Sequence, residues 1–529
     1  MPTNPNDTAD DTQLMVSRAG VARDGTRLAR RTNIDAQWCR WYQGLARKML
    51  GYREQIRTIQ GIVRAIDVFS DDGFSYVHAG SGTAINRYTI NNTSGASGGV
   101  FDRTPAGWVV DPNINWQFTE LYNTADTTTD IFACGVPNAS DISTNTDMPV
   151  YHGDILGTTA LTPIADINAT ASGGVVAINP YLMLYGHDGI VKWSSAVDPL
   201  DFTGGDSGDS RPAADKIVKG LPVRGATTPT GIFWSLSSVI IGTYVGGSSI
   251  FNFTTVTAAG SIMSSNGVVE HNGIYYWPTT SGWSMFNGVV RDLPNDDSKQ
   301  WFLDNVNMAQ RQKIFGVKVP RWNEIWWCFP FGTATECTHA IILNLGGPNQ
   351  AAFWYDTVLP NGGRSAGFYD LVFAYPIMAG NQLNSDDFYS MWQHEYGFNE
   401  VSGAQPTAKA IRSFYETSEF SMVAPMQVGQ VGKDRSISYS VFEPDFEQVG
   451  DMMFAVISRQ NARTPPSKEV ITGPITIEEP QHDANEELIA FKHTGRLTRF
   501  RIESNTINGN YTTGSPLIHF RPGDGRRTT

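Results

Sequence analysis

Acidic and aromatic side chains are the residues of this 529-residue chain that could do chemistry, and the reaction they suit best is glycoside cleavage. That reaction needs two carboxyl groups about 5 to 9 Å apart beside a sugar-binding surface. The candidates are Asp154, Asp188 and Glu324, each close to a predicted turn or strand end. Turn and rim positions explain these carboxylates better than a paired site does, so we predict no catalytic residue among them.

A second candidate is the serine in the run Gly205-Asp206-Ser207-Gly208, which resembles the nucleophile loop of chymotrypsin-like proteases. Asp209 follows where that family has glycine, and the Ala-Ala-His-Cys element that carries its general base does not precede the run. The stretch from Ser70 to Gly73 is a near match to the Asp-box turn of sialidases, but its spacing differs and it does not recur. Small-residue surface loops account for both.

Metal and phosphate sites find little support. The nine histidines include no pair at metal-binding intervals. His482 lies within an acidic stretch, residues 478–487, that could hold a calcium ion, but the alternating acidic and glycine pattern of a calcium loop is missing. Glycine-rich stretches such as Gly95 to Gly99 lack the lysine and the strand-to-helix context of a phosphate loop. We predict no cofactor and no metal site, with cation binding at 478–487 left open.

The elements that must position any site are short β-strands. From Gly231 to Val290, uncharged runs rich in β-branched and aromatic residues alternate with glycine turns. The predicted strands are Phe233 to Ile241, Ser249 to Val256, Gly267 to Tyr276 and Trp283 to Val290, with turns at Gly246-Gly247, Asn266-Gly267, Asn272-Gly273 and Asn287-Gly288. Asn-Gly tolerates the positive φ of a hairpin turn. No charged residue occurs from Ala226 to Val269, yet no apolar run reaches the ~18 residues that span a membrane.

Strand and turn signals continue from residue 60 to residue 399, interrupted only by a short helix predicted at Asp296 to Gln312. This pattern excludes a parallel α/β sheet and favours a sandwich, barrel or propeller. At ~45 residues per blade the region would hold about seven blades, within a range of about five to eight. Another set of alternating strands begins near Asn399. The predicted fold is all-β, with a propeller-like domain at 60–399 and a second, sandwich-type domain at 400–522.

Composition agrees with many strands and turns. The chain has 52 glycines, 11% aromatic residues and only 17% charged residues. Its four cysteines are scattered and form no disulfide framework, which indicates synthesis in a reducing cytoplasm. The polar stretch Met1 to Thr12 has neither the basic start nor the apolar core of a secretory signal. We predict a flexible tail at 1–17 and a polar tail at 523–529.

The charge is distributed unevenly. Between Arg18 and Arg64 there are eleven Lys or Arg and three acidic residues, a local net charge of +8. Because the whole chain has a net charge of −13, the rest of it carries −21. Arg alternates with Trp and Tyr in 18–59, which suits nucleic-acid contact, docking on a neighbouring subunit or an ordinary domain edge. We favour an extended N-terminal arm that docks on another subunit, because so acidic a body repels nucleic acid. The candidate docking residues are Arg23, Arg27, Trp38, Arg40, Trp41, Arg47 and Arg53.

Several stretches together carry a resemblance to one family. They are Gly20 to Arg27, Gln37 to Arg40, Gly44 to Arg53, Leu184 to Ser194, Asn323 to Trp327, Ala352 to Tyr355, Arg501 to Ser504 and Gly523 to Arg527. In these stretches the chain is similar to the tail nozzle or hub proteins of short-tailed bacteriophages, also called tail tubular or packaged-DNA stabilisation proteins. The family supplies no catalytic residues to compare.

The resemblance implies a homohexameric ring below the portal and the adaptor ring, in contact with tail fibres. Such a ring would continue the DNA channel, retain packaged DNA and let double-stranded DNA pass at infection without sequence-specific binding. The protein would be a structural, non-enzymatic part of the virion tail, made in the bacterial host cytoplasm. A carbohydrate-binding or carbohydrate-degrading propeller of the tailspike type, or a tail-fibre adaptor, stays open as an alternative. An enzyme would act as a monomer, whereas a nozzle would be inert and form rings.

Overall fold

The structure of this chain is a computed structural model that describes residues 11–15, 17–136, 142–247, 249–258, 260–347, 351–373, 375–421, 436–479 and 488–523. Within these ranges nearly every regular element is a β-strand, and the single α-helix spans Lys299–Asn305. Short 3-10 helices span Arg27–Ala29, His187–Gly189, Ser265–Gly267, Met308–Lys313, Pro320–Trp322 and Pro466–Lys468. The all-β fold is confirmed, and the predicted linker helix forms within its expected range.

Seven sheets form the larger body and are numbered here as blades 1 to 7 in chain order; their pairs are antiparallel, apart from one parallel pair in blade 7. Blade 1 consists of Val63–Asp71, Phe74–Ser81, Ile85–Asn91 and Ser97–Asp102. Blade 2 consists of Asn115–Asn123, Thr128–Val136, Met148–Asp154, Thr162–Pro163 and Thr170–Ala171. Blade 3 consists of Gly174–Ile178, Tyr181–Tyr185, Val191–Trp193 and Gly208–Ser210. Blade 4 consists of Ile217–Pro222, Thr230–Ser235, Val239–Tyr244 and Phe251–Thr257. Blade 5 consists of Val269–His271, Ile274–Thr279, Gly282–Phe286 and Val290–Leu293. Blade 6 consists of Phe315–Val319, Glu324–Phe329, His339–Asn344 and Phe353–Val358. Within blades 1 to 6 the strand order follows chain order, except that Thr170–Ala171 of blade 2 pairs with Met148–Asp154 beside the main path.

The blades close into a ring. Six apolar clusters lie between neighbouring blades, one of them between blades 7 and 1, and a seventh joins blades 6 and 7 to the core of the smaller body. The first strand of blade 1 contacts the first strands of both blade 2 and blade 7, so first strands line the centre and last strands form the rim. Each blade therefore buries both faces, which explains why its strands are apolar on both sides. The predicted propeller is confirmed, with seven blades.

Blade 7 is completed by a strand from far upstream. Its chain-order strands are Arg364–Asp370, Tyr375–Gly380 and Tyr389–His394, and the fourth position is occupied by Tyr52–Ile59. His394 pairs with Tyr52 and Gln393 with Arg53 in antiparallel register. Asn399–Ser402 and Thr407–Ala410 extend the same sheet outward. Because this upstream strand hydrogen-bonds the last blade, it holds the ring shut.

The smaller body is a sandwich of two sheets with a third small sheet beside it. The first sandwich sheet contains Asp11–Leu14, Leu517–Pro522, Ile437–Glu443 and Ile489–Gly495. The second contains Asp35–Gln37, Ser413–Glu416, Leu497–Ser504, Met452–Arg459 and Val470–Ile477. The small third sheet contains Phe446–Val449, Asn510–Thr513, Leu45–Lys48 and Cys39–Tyr42. Arg18–Val21 and Thr32–Asn33 form a separate parallel pair. Phe442 and Phe454, from facing sheets, stack with ring centroids 4.0 Å apart. The predicted sandwich-type domain is therefore present.

The N-terminal segment is extended, as expected, but its strands lie inside the two bodies of its own chain. Asp11–Leu14 pairs with Leu517–Phe520, although residues 1–17 were predicted to be a flexible tail. The segment predicted as an arm, 18–59, supplies strands to one sandwich sheet, to the small third sheet and to blade 7. The strand pairing therefore does not follow the domain limits predicted at residues 60 and 400, because strands distant in sequence complete the sheets of both bodies. Residues 1–10 and 524–529 lie outside the described ranges.

Local turn chemistry agrees with the sequence at most positions. Asn272-Gly273 has φ values of 53° and 80° and Gly246-Gly247 has 70° and 71°, the left-handed conformation that tight hairpins need. Asn287-Gly288 also connects two paired strands. Asn266-Gly267 is an exception, because it lies in a 3-10 helix before blade 5. The predicted single strand Phe233 to Ile241 is also wrong, since a turn after Ser235 divides it between two strands.

Candidate functional site: the buried junction of the propeller and the sandwich

One arginine lies between two glutamates where the sandwich meets blades 6 and 7. Arg40 Nε is 3.0 Å from Glu324 Oε1, and its terminal nitrogens are both 2.6 Å from the carboxylate of Glu395. The three side chains are between 0% and 4% exposed. A fork of N–H donors matches a carboxylate in two parallel hydrogen bonds, which is why arginine suits this position. The cluster is called the junction triad below.

Aromatic side chains complete the hydrogen bonds of the two carboxylates. Trp322 Nε1 donates to Glu395 at 2.7 Å and Trp326 Nε1 donates to Glu324 at 2.9 Å. The hydroxyl of Tyr355 donates to the other oxygen of Glu324. Because these carboxylate oxygens accept several hydrogen bonds, the buried charge is stabilised as a network and not as a bare ion pair.

The electrostatics of the junction triad are unbalanced, since one guanidinium faces two carboxylates. Burial raises the pKa of Glu324, Glu395 raises it further and Arg40 opposes both. Burial lowers the pKa of Arg40, but the two carboxylates outweigh it and hold that pKa above its ordinary value. The positive charge of Arg40 therefore limits the rise in the pKa of Glu324 that burial and Glu395 cause.

A second buried pair lies next to the junction triad in blade 7. Arg364 Nε donates to His394 Nε2 at 3.0 Å, and its guanidinium lies over the rings of Tyr52 and Trp392. Burial, and then the charge of Arg364, holds the pKa of His394 well below its usual range, so the imidazole is a neutral acceptor. Burial also lowers the pKa of Arg364 to about 10. This pair joins the upstream strand of blade 7 to the ring.

The local sequence explains how the junction triad is placed. Arg40 lies in the strand Cys39–Tyr42, and Glu324 begins the second strand of blade 6 directly after Asn323, whose φ of 54° makes the turn. Glu395 follows the third strand of blade 7 with a φ of 59°. A left-handed residue at such a strand end redirects the side chain. Two propeller turns and one sandwich strand therefore meet at a single point.

The seven candidate docking residues all contact their own chain. Trp38, Arg40 and Trp41 are buried, which contradicts the prediction that they lie on a docking surface. Arg40 finds its carboxylates within the chain, and Trp38 and Trp41 pack on Trp326 and Tyr355. The reason is that segments 18–59 and 413–522 fold together, so the aromatic side chains fill an internal core.

The other four candidates are partly exposed and also paired internally. Arg23 forms a bidentate contact with Asp356 at 2.8 and 2.9 Å, and Arg27 contacts Glu469 at 2.6 Å. Arg47 lies over the ring of Trp322, and Arg53 donates to Gln393 at 2.7 Å. Their docking on another subunit stays a prediction. Sequence reasoning missed Glu395 as the partner of Arg40 and Trp322 as the partner of Arg47, since nothing in the local sequence marks those two positions.

The structure does not bring the three glycosidase candidates together. Asp154 ends a strand of blade 2 and caps the turn at Leu156, whereas Asp188 lies in blade 3 and pairs with Arg211 at 3.1 Å. Glu324 belongs to the junction triad in blade 6. Asp154 and Asp188 thus occupy the turn and rim positions expected of them, while Glu324 is a core residue. No two of these three carboxylates form a pair.

Serine, histidine and aspartate do meet in blade 3, but not as a catalytic relay. Ser172 Oγ and Asp147 Oδ1 each lie 3.1 Å from the same nitrogen, Nδ1 of His187. A Ser-His-Asp relay needs the nucleophile at one ring nitrogen and the acid at the other. Ser207 instead donates to the carbonyl of Gly204 at 2.7 Å, as expected of a surface loop. We assign no nucleophile to this region.

A polar groove of about 450 Å³ lies on the outer side of blade 7. Its lining includes Glu54, Glu400 and Trp392. Both carboxylates are engaged within the chain, because Glu54 accepts from the backbone of Gly403 at 2.9 Å and Glu400 from the hydroxyl of Tyr52 at 3.0 Å. A ligand there would have to compete with these internal hydrogen bonds.

The described ranges contain neither a metal-ligand cluster nor a candidate membrane span. There, no group of three His, Cys, Asp or Glu side chains is arranged to hold a metal ion. The described part also contains no helix long and apolar enough to cross a membrane. Residues 480–487, most of the acidic stretch proposed for a cation, lie outside the described ranges.

Comparison with known proteins yields structural neighbours only. Neither a protein family nor a curated protein matches the sequence. The WD40 domain of Toxoplasma gondii coronin matches 68% of this chain and 88% of its own length, at 8% identity and a TM-score of 0.36. The computationally designed Ika8 protein covers 64% of this chain at 10% identity and a TM-score of 0.33. An exo-beta-1,3-galactanase of Phanerochaete chrysosporium, crystallised with galactose, covers 88% at 9% identity and a TM-score of 0.26.

Proposed function

We propose that this protein is a structural component of a phage tail, forming the nozzle or hub ring that continues the DNA channel below the portal and adaptor. It would retain packaged DNA and let it leave at infection. The supporting observation is the junction triad, in which the charged groups best placed for chemistry are paired with each other between two interlocked bodies. Such a junction provides mechanical cohesion and leaves no reactive group free.

The connectivity between the two bodies supports a load-bearing role. The propeller is inserted between two segments of one sandwich, and the strand Tyr52–Ile59 seals its last blade. Separating the bodies would require breaking two chain connections, the junction triad and a shared apolar core that includes Trp38 and Trp326. A ring that holds DNA under confinement needs this resistance to separation. A freely acting enzyme does not need it.

Charge also agrees with passage of DNA. The chain carries a net charge of −13, and Arg23, Arg27 and Arg40 of its basic segment are paired with carboxylates of the same chain. A lumen with few free cations would let a polyanion slide, because phosphate contacts would not hold it at each step. We therefore propose six copies, transient contact with double-stranded DNA, and docking to the adaptor and tail fibres.

Electron microscopy of the purified protein, alone and with adaptor protein, tests this function. Closed rings that seat on the adaptor are expected, together with particles that lose DNA when the gene is deleted and regain it on complementation. Particles that keep full DNA without the protein would refute the proposal. If a monomer instead cleaved or bound a cell-surface polysaccharide and lost that activity on a single carboxylate change, the tailspike-like alternative would replace it.

A further inference from the structure

The rim strands of the seven blades differ in how their outer edges are protected. An exposed edge strand offers unpaired backbone groups to any other strand, so proteins usually block it with charge, proline, shortness or a cover. Blade 2 ends in the two-residue strand Thr162–Pro163. Blade 3 has Asp209 at the centre of its rim strand, and blade 5 has Arg291 and Asp292. These three edges are blocked by familiar devices.

The edges of blades 6 and 7 are covered by other parts of the chain. Arg18–Val21 and Asp35–Gln37 contact the rim strand of blade 6, Phe353–Val358. The rim strand of blade 7, Tyr52–Ile59, is paired on its outer side with Asn399–Ser402. The sheet of blade 7 then ends in Thr407–Ala410, a four-residue strand that carries Lys409 and is therefore protected by shortness and charge.

Blade 4 is open and uncharged. Among the described residues its rim strand, Phe251–Thr257, is the last of its sheet, and it contains neither a charged residue nor a proline. Phe251 to Thr255 keep regular register with the neighbouring strand, and the side chains of Asn252 and Thr254 are exposed. This strand lies within the stretch from Ala226 to Val269 that has no charge at all.

Blade 1 is the other open blade. Its rim strand, Ser97–Asp102, is the last of its sheet among the described residues, and its single charge is Asp102 at the end. Gly98 and Gly99 carry no side chain that would screen the backbone, and Val100 is 46% exposed. The register with the neighbouring strand shifts between Tyr88 and Ile90, so Gly98 and Gly99 form a bulge and Val100 to Asp102 are the regular part of this edge.

We propose that the rim strand of blade 4 in one copy pairs with the rim strand of blade 1 in a second copy, adding a strand across the interface between subunits. Each copy has a net charge of −13, so two copies repel each other except where both surfaces are neutral. The two open rim strands are such neutral surfaces, and pairing one with the other covers both. This inference rests on the proposed ring and names the contact that builds it.

The position of the two edges indicates ring formation. They belong to different blades, three apart around the seven-bladed propeller, so the contact joins unlike surfaces. Unlike surfaces assemble head to tail and close into a ring when the rotation permits, whereas a strand that pairs with its own copy gives a two-fold dimer. The main-chain hydrogen bonds would supply affinity, as in other cases of strand addition.

Sedimentation velocity of the full chain tests the pairing through two blocking variants, Thr254→Lys and Val100→Lys. Each should weaken self-association at least about tenfold, because a lysine ammonium group would lose its hydration in the strand pair. Thr407→Lys, on an exposed strand of the blade 7 extension, is the matched control and should assemble like the unmodified chain. Each blocking variant keeps one good edge, so an equimolar mixture of the two should form dimers and stop there.

The possible outcomes distinguish a failure of the strand pairing from a failure of the proposed ring. If both blocking variants still form rings as the unmodified chain does, the strand pairing is wrong and the ring stands. If Thr254→Lys is monomeric while Val100→Lys assembles normally, blade 4 pairs with itself and the head-to-tail contact is refuted. If the unmodified chain stays monomeric at high concentration and on the adaptor, the ring fails and this inference fails with it. A mixture that forms no dimer would also overturn the pairing.

Discussion

Replacing Arg40 with methionine should destabilise the protein strongly, because Glu324 and Glu395 would then be buried without a counter-ion. Both carboxylates are within 3.0 Å of the guanidinium, and all three side chains are at most 4% exposed. Removing one partner of a buried ion pair costs about 3 to 5 kcal/mol of unfolding free energy. That is a large part of the roughly 5 to 15 kcal/mol that stabilises a typical domain.

The loss should depend on pH in a definite direction. Burial already raises the pKa of Glu324, and removing Arg40 also removes the group that opposes this rise. A glutamate with a folded pKa above its unfolded value of about 4.3 binds more protons when folded, so stability is present at low pH and falls as pH rises. The Arg40→Met variant should therefore lie closer to the unmodified protein at pH 5 than at pH 8.

Urea unfolding followed by tryptophan fluorescence at pH 5, 6.5 and 8 measures the effect, since several of the 14 tryptophans lie at this junction. Arg412→Met is the matched control: it removes an ion pair with Glu503 whose arginine is 53% exposed, and should cost at most about 1 kcal/mol. Adding Glu324→Gln and Glu395→Gln to Arg40→Met should restore much of the stability and abolish its pH dependence. A loss below about 1 kcal/mol at pH 8, or one equal at all three pH values, would refute the reasoning.

Three further changes test other parts of the structure. A fragment covering 52–411 should be more soluble and melt higher than one covering 60–399, because only the longer one keeps the strand Tyr52–Ile59 that closes blade 7; equal melting temperatures would contradict that closure. Gly20→Ala should destabilise the chain by about 1 to 3 kcal/mol more than Gly25→Ala in urea unfolding, since a Cβ at Gly20 would lie 2.6 Å from the carbonyl oxygen of Trp354 while Gly25 has open space. Equal costs would show that the N-terminal segment is not packed there. His78 is buried beside Arg103 and Arg87, and burial lowers its pKa to about 3; stability should fall as pH drops from about 6.5 toward 4, and His78→Phe should reduce that fall. An NMR titration that places the pKa of His78 near 6.5 would exclude this account.

Sequence patterns predicted the local elements well because their causes are local. Turns such as Asn272-Gly273 depend on the backbone freedom of two adjacent residues, and the structure shows the positive φ values that this freedom permits. The spacing of uncharged strands likewise indicated a radial stack of sheets, since a strand buried on both faces must be apolar on both. Asn266-Gly267 shows the limit, because the same dipeptide begins a blade there without forming a hairpin.

The basic and aromatic segment 18–59 shows why the candidate site could be predicted only in part. Its composition led to the prediction that Arg40 docks on another subunit, whereas its carboxylate partners belong to the same chain. Those partners, Glu324 and Glu395, are 284 and 355 positions away, and no local pattern selects them from the other acidic residues. Arginine beside tryptophan is chemically the same whether the partner is another subunit or a distant part of one chain.

The sequence by itself thus determined the strand class, the turns, the number of blades to within a narrow range and the presence of a second β domain. Only the tertiary structure decided that residues 11–48 complete the sandwich and that Tyr52–Ile59 closes the propeller. The physical reason is that hydrogen bonds between strands are almost the same for any pair of apolar strands. The choice of partner is therefore made by the packing of the whole chain, in which each strand fills the one open edge that its connections can reach.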